Sequence, residues 1–193
     1  MKSLALAALL AGAALAVAQA QAPAGFVRIT GTVSAISDDA ITVKGDDGKS
    51  ITTPLARTWT AIAARPVNIE AIKPGSFVAT ANTNIDAASG KSIELRVFEA
   101  GNKGGEGSRP MAAPNTTMTN ATVQTVTKGP GGRELDVAFP GGTRHIIVPP
   151  DVKVIGNFAV GRDRVKPGVT VNANGAKGED GVVRITRITV VEK

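Results

Sequence analysis

The sequence contains no cysteine and no tyrosine, and it has only one tryptophan, one histidine and five phenylalanines in 193 residues. Without cysteine, disulfides, thiolate metal ligands and a cysteine nucleophile are excluded, so the fold depends on packing alone. Single-stranded nucleic acid is bound by aromatic stacking beside positive charge, and zinc needs several ligands that this sequence does not supply. We therefore predict no nucleic-acid partner, no metal site and no cofactor.

Long hydrophobic runs are missing after the first twenty residues. Residues 1–20 combine Lys2, an apolar run at 4–17 and the small-residue end Ala18-Gln19-Ala20, a pattern typical of a secretory signal peptide. The run is shorter than the roughly 20 residues that a spanning helix needs. We expect signal-peptide cleavage near Ala20, a periplasmic or secreted location, and no transmembrane segment in the mature chain.

One β-rich pattern occurs twice in the sequence. Val33-Ser34-Ala35-Ile36 aligns with Val123-Gln124-Thr125-Val126, and Ile72-Lys73-Pro74-Gly75 aligns with Val165-Lys166-Pro167-Gly168. In each copy, runs of Val, Ile and Thr between turn residues predict strands. Because the repeat is longer than solenoid repeats, we expect each copy to be a self-contained domain.

Each copy is predicted to contain five strands, with an irregular stretch between the third and the fourth. The predicted strands are 27–36, 40–45, 49–54, 76–82 and 91–98 in the first copy, and 119–128, 133–139, 143–148, 169–174 and 182–191 in the second. This plan is typical of an OB-like β-barrel, and a sandwich is the alternative. We predict an all-β protein of two tandem small barrels, with module 1 at 26–99, a Gly/Pro-rich linker at 100–118 and module 2 at 119–193.

The formal net charge of +6 is unevenly distributed. Residues 26–99 hold eight basic and eight acidic side chains, whereas residues 119–193 hold eleven basic and seven acidic ones. The clearest basic cluster precedes the fourth strand of the second copy, and neighbours in the chain extend it: Arg144, Lys153, Arg162, Arg164 and Lys166. These side chains are our candidate residues for binding an anionic ligand. A solvated loop, in which Asp163 offsets part of the charge, is the alternative.

Two single residues leave alternatives open. We interpret His145 as an exposed strand residue, because acid–base catalysis would also need a nucleophile or a second proton carrier. Trp59 lies outside a clear strand run, so it either caps the end of the first barrel or contributes to a binding face. The sequence indicates no catalytic residue, and we predict that the protein is not an enzyme.

Several segments resemble a bacterial family of secreted OB-like domains of unknown function: Thr30-Gly31-Thr32-Val33-Ser34-Ala35-Ile36, Ile41-Thr42-Val43-Lys44 and Ile72-Lys73-Pro74-Gly75. The hinge at 105–110 and the segment at 116–123 resemble its tandem members, which are often labelled as metal ABC transporter permeases. That label does not suit a sequence without spanning segments after its signal. The resemblance implies the fold alone, and Met111 stands where an aromatic residue is expected in that family.

These observations predict an exported, non-catalytic binding module for an envelope protein or an anionic glycan or lipid. A structural or assembly component of the cell envelope is the alternative. A metal-associated periplasmic protein and a hydrolase rank below both, because the sequence offers neither a ligand cluster nor a catalytic constellation.

Overall fold

The computed structural model describes residues 25–99 and 105–192. The predicted signal peptide and the first residues of the predicted linker lie outside the described residues. The described chain consists of strands, turns and two short 3₁₀ helices, which confirms the all-β prediction. Within these ranges, no helix has the length and apolarity needed to cross a bilayer.

The described residues form a sheet of twelve strands. The first copy contributes β1 (Phe26–Ile36), β2 (Ala40–Lys44), β3 (Ser50–Val67), β4 (Phe77–Asn84) and β5 (Ser89–Phe98). The later strands are β6 (Gly107–Pro110), β7 (Thr116–Gly129), β8 (Gly132–Phe139), β9 (Gly142–Val148), β10 (Val154–Val160), β11 (Thr170–Lys177) and β12 (Val183–Val191). Short 3₁₀ helices at Ile69–Ala71 and Arg162–Arg164 precede β4 and β11, respectively.

Five strands from both ends of the described chain form a closed barrel, which we call the first barrel. Strand β1 pairs antiparallel with β2 and β11, while β2 pairs with β3 and β11 pairs with β12. The ring closes where β12 pairs in parallel with β3. Its core combines Ile29, Val43 and Leu55 with Val171 and Ile188, so it draws on both sequence copies.

The middle of the chain forms a second closed circuit of pairings. Strands β5, β4, β7, β8 and β9 follow one another in antiparallel order, and β5 also pairs in parallel with β9. This second circuit has a separate core, in which Val78 and Leu95 pack with Val123, Leu135 and Ile146. Strand β6 pairs with β7 at the side of the circuit.

The strand pairing therefore crosses the expected boundary between the modules. We expected residues 26–99 and 119–193 to form one barrel each, but the two copies exchange their fourth and fifth strands. The Pro-Gly turns show the same exchange, because Gly168 N donates to Val33 O at 2.9 Å and Gly75 N donates to Val123 O at 2.8 Å. The two copies share one sequence pattern. The fourth and fifth strands of one copy are therefore chemically similar pairing partners for the first three strands of the other.

Two segments predicted to be irregular are strands that connect the two cores. The second half of β3 pairs antiparallel with β10, and β10 pairs in parallel with β5. The predicted linker likewise contains β6 and the first residues of β7. In each case a neighbouring strand supplies the backbone hydrogen bonds that an isolated loop would have to make with water.

Candidate functional site

The five predicted anion-binding residues are divided between the two closed circuits. Arg162 and Arg164 lie in the 3₁₀ helix before β11, and Lys166 lies in the turn that follows it. Arg144 lies in β9 of the second circuit, and Lys153 lies in the loop between β9 and β10. Their closeness in the sequence therefore does not produce one continuous basic surface.

Arg162 is engaged in covering the core of the first barrel. Its guanidinium lies 4.7 Å from the centre of the Trp59 ring, close enough for a cation–π contact. Its Nε donates to the Trp59 carbonyl oxygen at 3.0 Å, and its Nη2 donates to the Arg57 carbonyl oxygen at 3.0 Å. Trp59 is only 5% exposed and belongs to the core, which rules it out as part of an open binding face.

The charge of Arg164 is offset by a carboxylate at the end of β12. Its Nη2 lies 2.5 Å from Glu192 Oε1, and Arg65 approaches the other oxygen of that carboxylate at 3.9 Å. Lys166 is exposed and makes no ion pair with any residue that the structure describes. Two of the three predicted anion-binding residues at the first barrel, Arg162 and Arg164, thus have partners within the protein.

Arg144 points into the second circuit, contrary to its predicted place on an exposed basic surface. It is 8% exposed, and its Nη2 donates to Asn84 Oδ1 at 3.0 Å and to Ser89 O at 2.9 Å. These contacts join β9 to β4 and β5 near the parallel closure. Strand alternation explains its position, since Ile146 and Val148 are the next inward-facing residues of β9.

The interior next to Arg144 is polar and hydrogen-bonded within itself. Thr80 Oγ1 donates to Asn82 Oδ1 at 3.0 Å and lies 2.9 Å from Ser92 Oγ. Asn82 Nδ2 donates to the Thr80 carbonyl oxygen at 3.1 Å. Because these buried groups bind one another, this end of the second circuit serves to join β4 and β5.

A groove of about 550 Å³ opens at the other, apolar side of the second circuit. It lies between the end of β3, the turn from β7 to β8 and the loop from β9 to β10. Apolar residues of the second core or packed against it line the groove: Val67, Ile69, Val148, Val152 and Val154. The groove is therefore an opening onto the hydrophobic core, and its volume lies in the range of small-molecule sites.

A glycine allows the two sides of this groove to approach closely. Gly132 has a φ of 127°, and a Cβ atom at this position would lie 2.2 Å from Val148 O. A larger residue at 132 would therefore collide with the backbone of the neighbouring strand. The Gly-rich turn between β7 and β8, which sequence analysis interprets as a turn, thus also shapes one wall of the groove.

Three cationic residues line the groove, and they differ in their partners. Arg133 forms an ion pair with Glu70, whose backbone N donates to Asn68 Oδ1 at 2.8 Å. Lys128 and Lys153 are exposed and have no ion-pair partner in the described ranges 25–99 and 105–192. Of the predicted anion-binding residues, only Lys153 lies at this groove, while Lys128 is an addition that only the folded chain makes apparent.

A second groove, of about 590 Å³, lies on the other side of the β9–β10 loop. It shares Pro149, Val152 and Lys153 with the first groove. Its lining also contains Glu94 and Arg96, which form an ion pair with each other at 2.6 Å. The first groove is accordingly the more apolar of the two and has the less compensated positive charge.

His145 belongs to a row of hydrogen-bonded side chains across β7, β8 and β9. Its Nδ1 lies 2.8 Å from Asp136 Oδ1, and Thr125 Oγ1 donates to Asp136 Oδ2 at 2.5 Å. The Thr125 hydroxyl, followed by His145, lowers the pKa of Asp136 below its ordinary value. Ser89 pairs in register with His145, but its hydroxyl donates to Asp86 Oδ2 at 2.7 Å. The row thus fixes neighbouring strands, and its contacts do not connect this serine to the imidazole.

No family model, curated protein or solved structure matches the chain. The resemblance to the secreted OB-like family therefore stays a prediction. Within the described residues, no group of three or more acidic, histidine or cysteine side chains is arranged to hold a metal ion. The groove with Lys128 and Lys153 is accordingly our candidate functional site.

Proposed function

We propose that the protein is an exported, non-catalytic binding module that holds an anionic component of the cell envelope in the groove of the second circuit. The observation that carries this proposal is the combination of an apolar wall with two lysines that have no ion-pair partner among residues 25–99 and 105–192. An apolar wall gains free energy when a ligand displaces water from it, and the lysines favour a ligand with negative charge.

The proposal includes two expectations from the sequence. Residues 1–20 act as a cleaved signal peptide that exports the chain. The two closed circuits are OB-like barrels, and the exchange of strands between the copies makes them one connected scaffold. A connected scaffold suits a binding role, because turns and loops that are held between paired strands lose less conformational freedom when a ligand binds than free loops do.

Cross-linking of the tagged protein in its native host tests this function. We compare the wild type with Lys128→Gln/Lys153→Gln, and use Lys44→Gln/Lys177→Gln as the matched control. The control removes two exposed positive charges from the first barrel, so total charge changes equally.

We expect an anionic envelope component to be captured by the wild type and the control, and to be lost with the groove variant. Capture that is equal in both double variants would contradict the groove as the site. Recovery of the protein in a large envelope complex that is independent of both variants would instead support the structural alternative.

A further inference from the structure

We infer that the groove binds a single-chain anionic amphiphile, namely an unbranched alkyl chain that ends in a carboxylate or a phosphate. This inference rests on the proposed function and specifies the ligand of the same groove. It follows from three features of the groove, which are its apolar floor, its engaged hydrogen-bonding groups and its two lysines.

The floor of the groove favours an alkyl chain. Val67, Val152 and Val154 are aliphatic and continue the core of the second circuit. Aliphatic walls gain from contact with methylene groups in proportion to the area removed from water. No aromatic ring is present among the residues that line the groove, so it offers no stacking surface for a nucleobase.

Apart from the two lysines, the side chains of the groove that can form hydrogen bonds already have partners. Asn68 Oδ1 accepts the backbone N–H of Glu70, and the guanidinium of Arg133 pairs with the Glu70 carboxylate. A ligand with many hydroxyl groups would leave water without finding equivalent partners, and such a loss is unfavourable. This feature favours an alkyl ligand over a glycan.

The two lysines favour a compact acidic head group. Lys128 comes from the end of β7 and Lys153 from the loop before β10, so positive charge reaches the groove from two separate segments. A lysine ammonium acts as a point charge, without the planar fork of an arginine. It can therefore donate to a carboxylate or to a phosphate. The two head groups share the feature that the lysines recognise, which is a compact negative charge.

Isothermal titration calorimetry of the signal-free protein with alkyl carboxylates tests the inference. The series runs from octanoate to decanoate and dodecanoate, each below its micelle concentration, with dodecyl phosphate as the second head group. We expect the Kd to decrease by about fourfold for each added methylene that enters the groove. We expect Lys128→Gln/Lys153→Gln to raise the Kd of dodecanoate on the order of tenfold, and to leave the Kd of the uncharged decan-1-ol unchanged.

The same control, Lys44→Gln/Lys177→Gln, is expected to bind dodecanoate like the wild type. A Kd that is independent of chain length, or that is equal for the wild type and the groove variant, would overturn the inference. Binding of dodecanoate and not dodecyl phosphate, or the reverse, would identify the head group. If neither amphiphile binds while cross-linking in the host still depends on Lys128 and Lys153, the amphiphile is wrong and the proposed function stands.

Discussion

An engineered disulfide between β1 and β11 tests the exchange of strands between the two sequence copies. Thr30 lies opposite Asn172, and their side chains are joined by a hydrogen bond of 2.9 Å. The chain has no cysteine of its own, so Thr30→Cys/Asn172→Cys contains only the designed pair. We expect this variant to oxidise fully to the intramolecular disulfide in the folded state.

The control variant places the second cysteine where a self-contained module would need it. In the repeat, Thr30 corresponds to Asn120, and Asn120 lies opposite Ala79. If residues 26–99 formed their own barrel, Thr30 would therefore lie opposite Ala79. We expect Thr30→Cys/Ala79→Cys to keep two free thiols, as measured by thiol titration and by mobility on a non-reducing gel.

The magnitude of stabilisation follows from the length of the closed loop. The two paired residues are 142 positions apart, and the chain-entropy relation gives about 5 kcal/mol for a loop of this length. The only tryptophan, Trp59, lies in the core of the first barrel, so its fluorescence reports unfolding of that barrel. We compare oxidised and reduced protein in guanidinium chloride. Efficient oxidation of the control pair, with the designed pair remaining reduced, would refute the exchanged pairing.

Two further predictions concern side chains whose contacts are specific. We expect Arg144→Ala to lower the free energy of unfolding by about 2 kcal/mol, because Asn84 Oδ1 and Ser89 O lose a buried donor; urea unfolding followed by circular dichroism measures this loss, and an unchanged midpoint would contradict it. The second prediction is pH-dependent. Arg184, followed by the backbone N–H of Val182, lowers the pKa of Asp180 from its ordinary 3.8 to about 2. The ionised carboxylate therefore adds stability above pH 3.8 that is lost as the pH falls towards 2. We expect the difference in unfolding midpoint between the wild type and Asp180→Asn to shrink over this interval, and a difference that keeps its full size at pH 2 would be inconsistent with the ion pair.

The sequence predicted strand positions well, because alternation and turn residues act locally. The predicted strand at 40–45 corresponds to β2, and the predicted strand at 133–139 corresponds to β8. Strand partners were not predictable, since Val33 and Val123 occupy equivalent positions and each accepts from the Pro-Gly turn of the other copy, whose sequence resembles the turn of its own copy. Which of the two partners a strand takes depends on the packing energy of the whole fold, and the local sequence pattern carries no information about that energy.

The candidate site was predictable only in part. Lys153 was among the predicted residues, but Lys128 and the groove walls come from segments that are distant in the sequence. Arg144 was misplaced because it was assigned to the basic cluster by its closeness in the sequence, whereas the pleat of β9 directs it inwards together with Ile146. The number of charged residues identifies the basic half of the chain. The alternation of side chains along each strand then determines which of the charged groups reach solvent.

The closed first barrel also determines when the nascent chain can finish folding. Strands β11 and β12 leave the ribosome after the other strands that the structure describes, and β1 and β3 need them as neighbours. The strands of the second circuit lie between residues 77 and 148, so they can pair before β11 and β12 have been synthesised. At that stage β1 and β3 still lack these two partners. A chain that stops before Thr170 would present two unprotected strand edges, which are sites for aggregation. The first barrel thus joins strands that are synthesised far apart in time in one folding step.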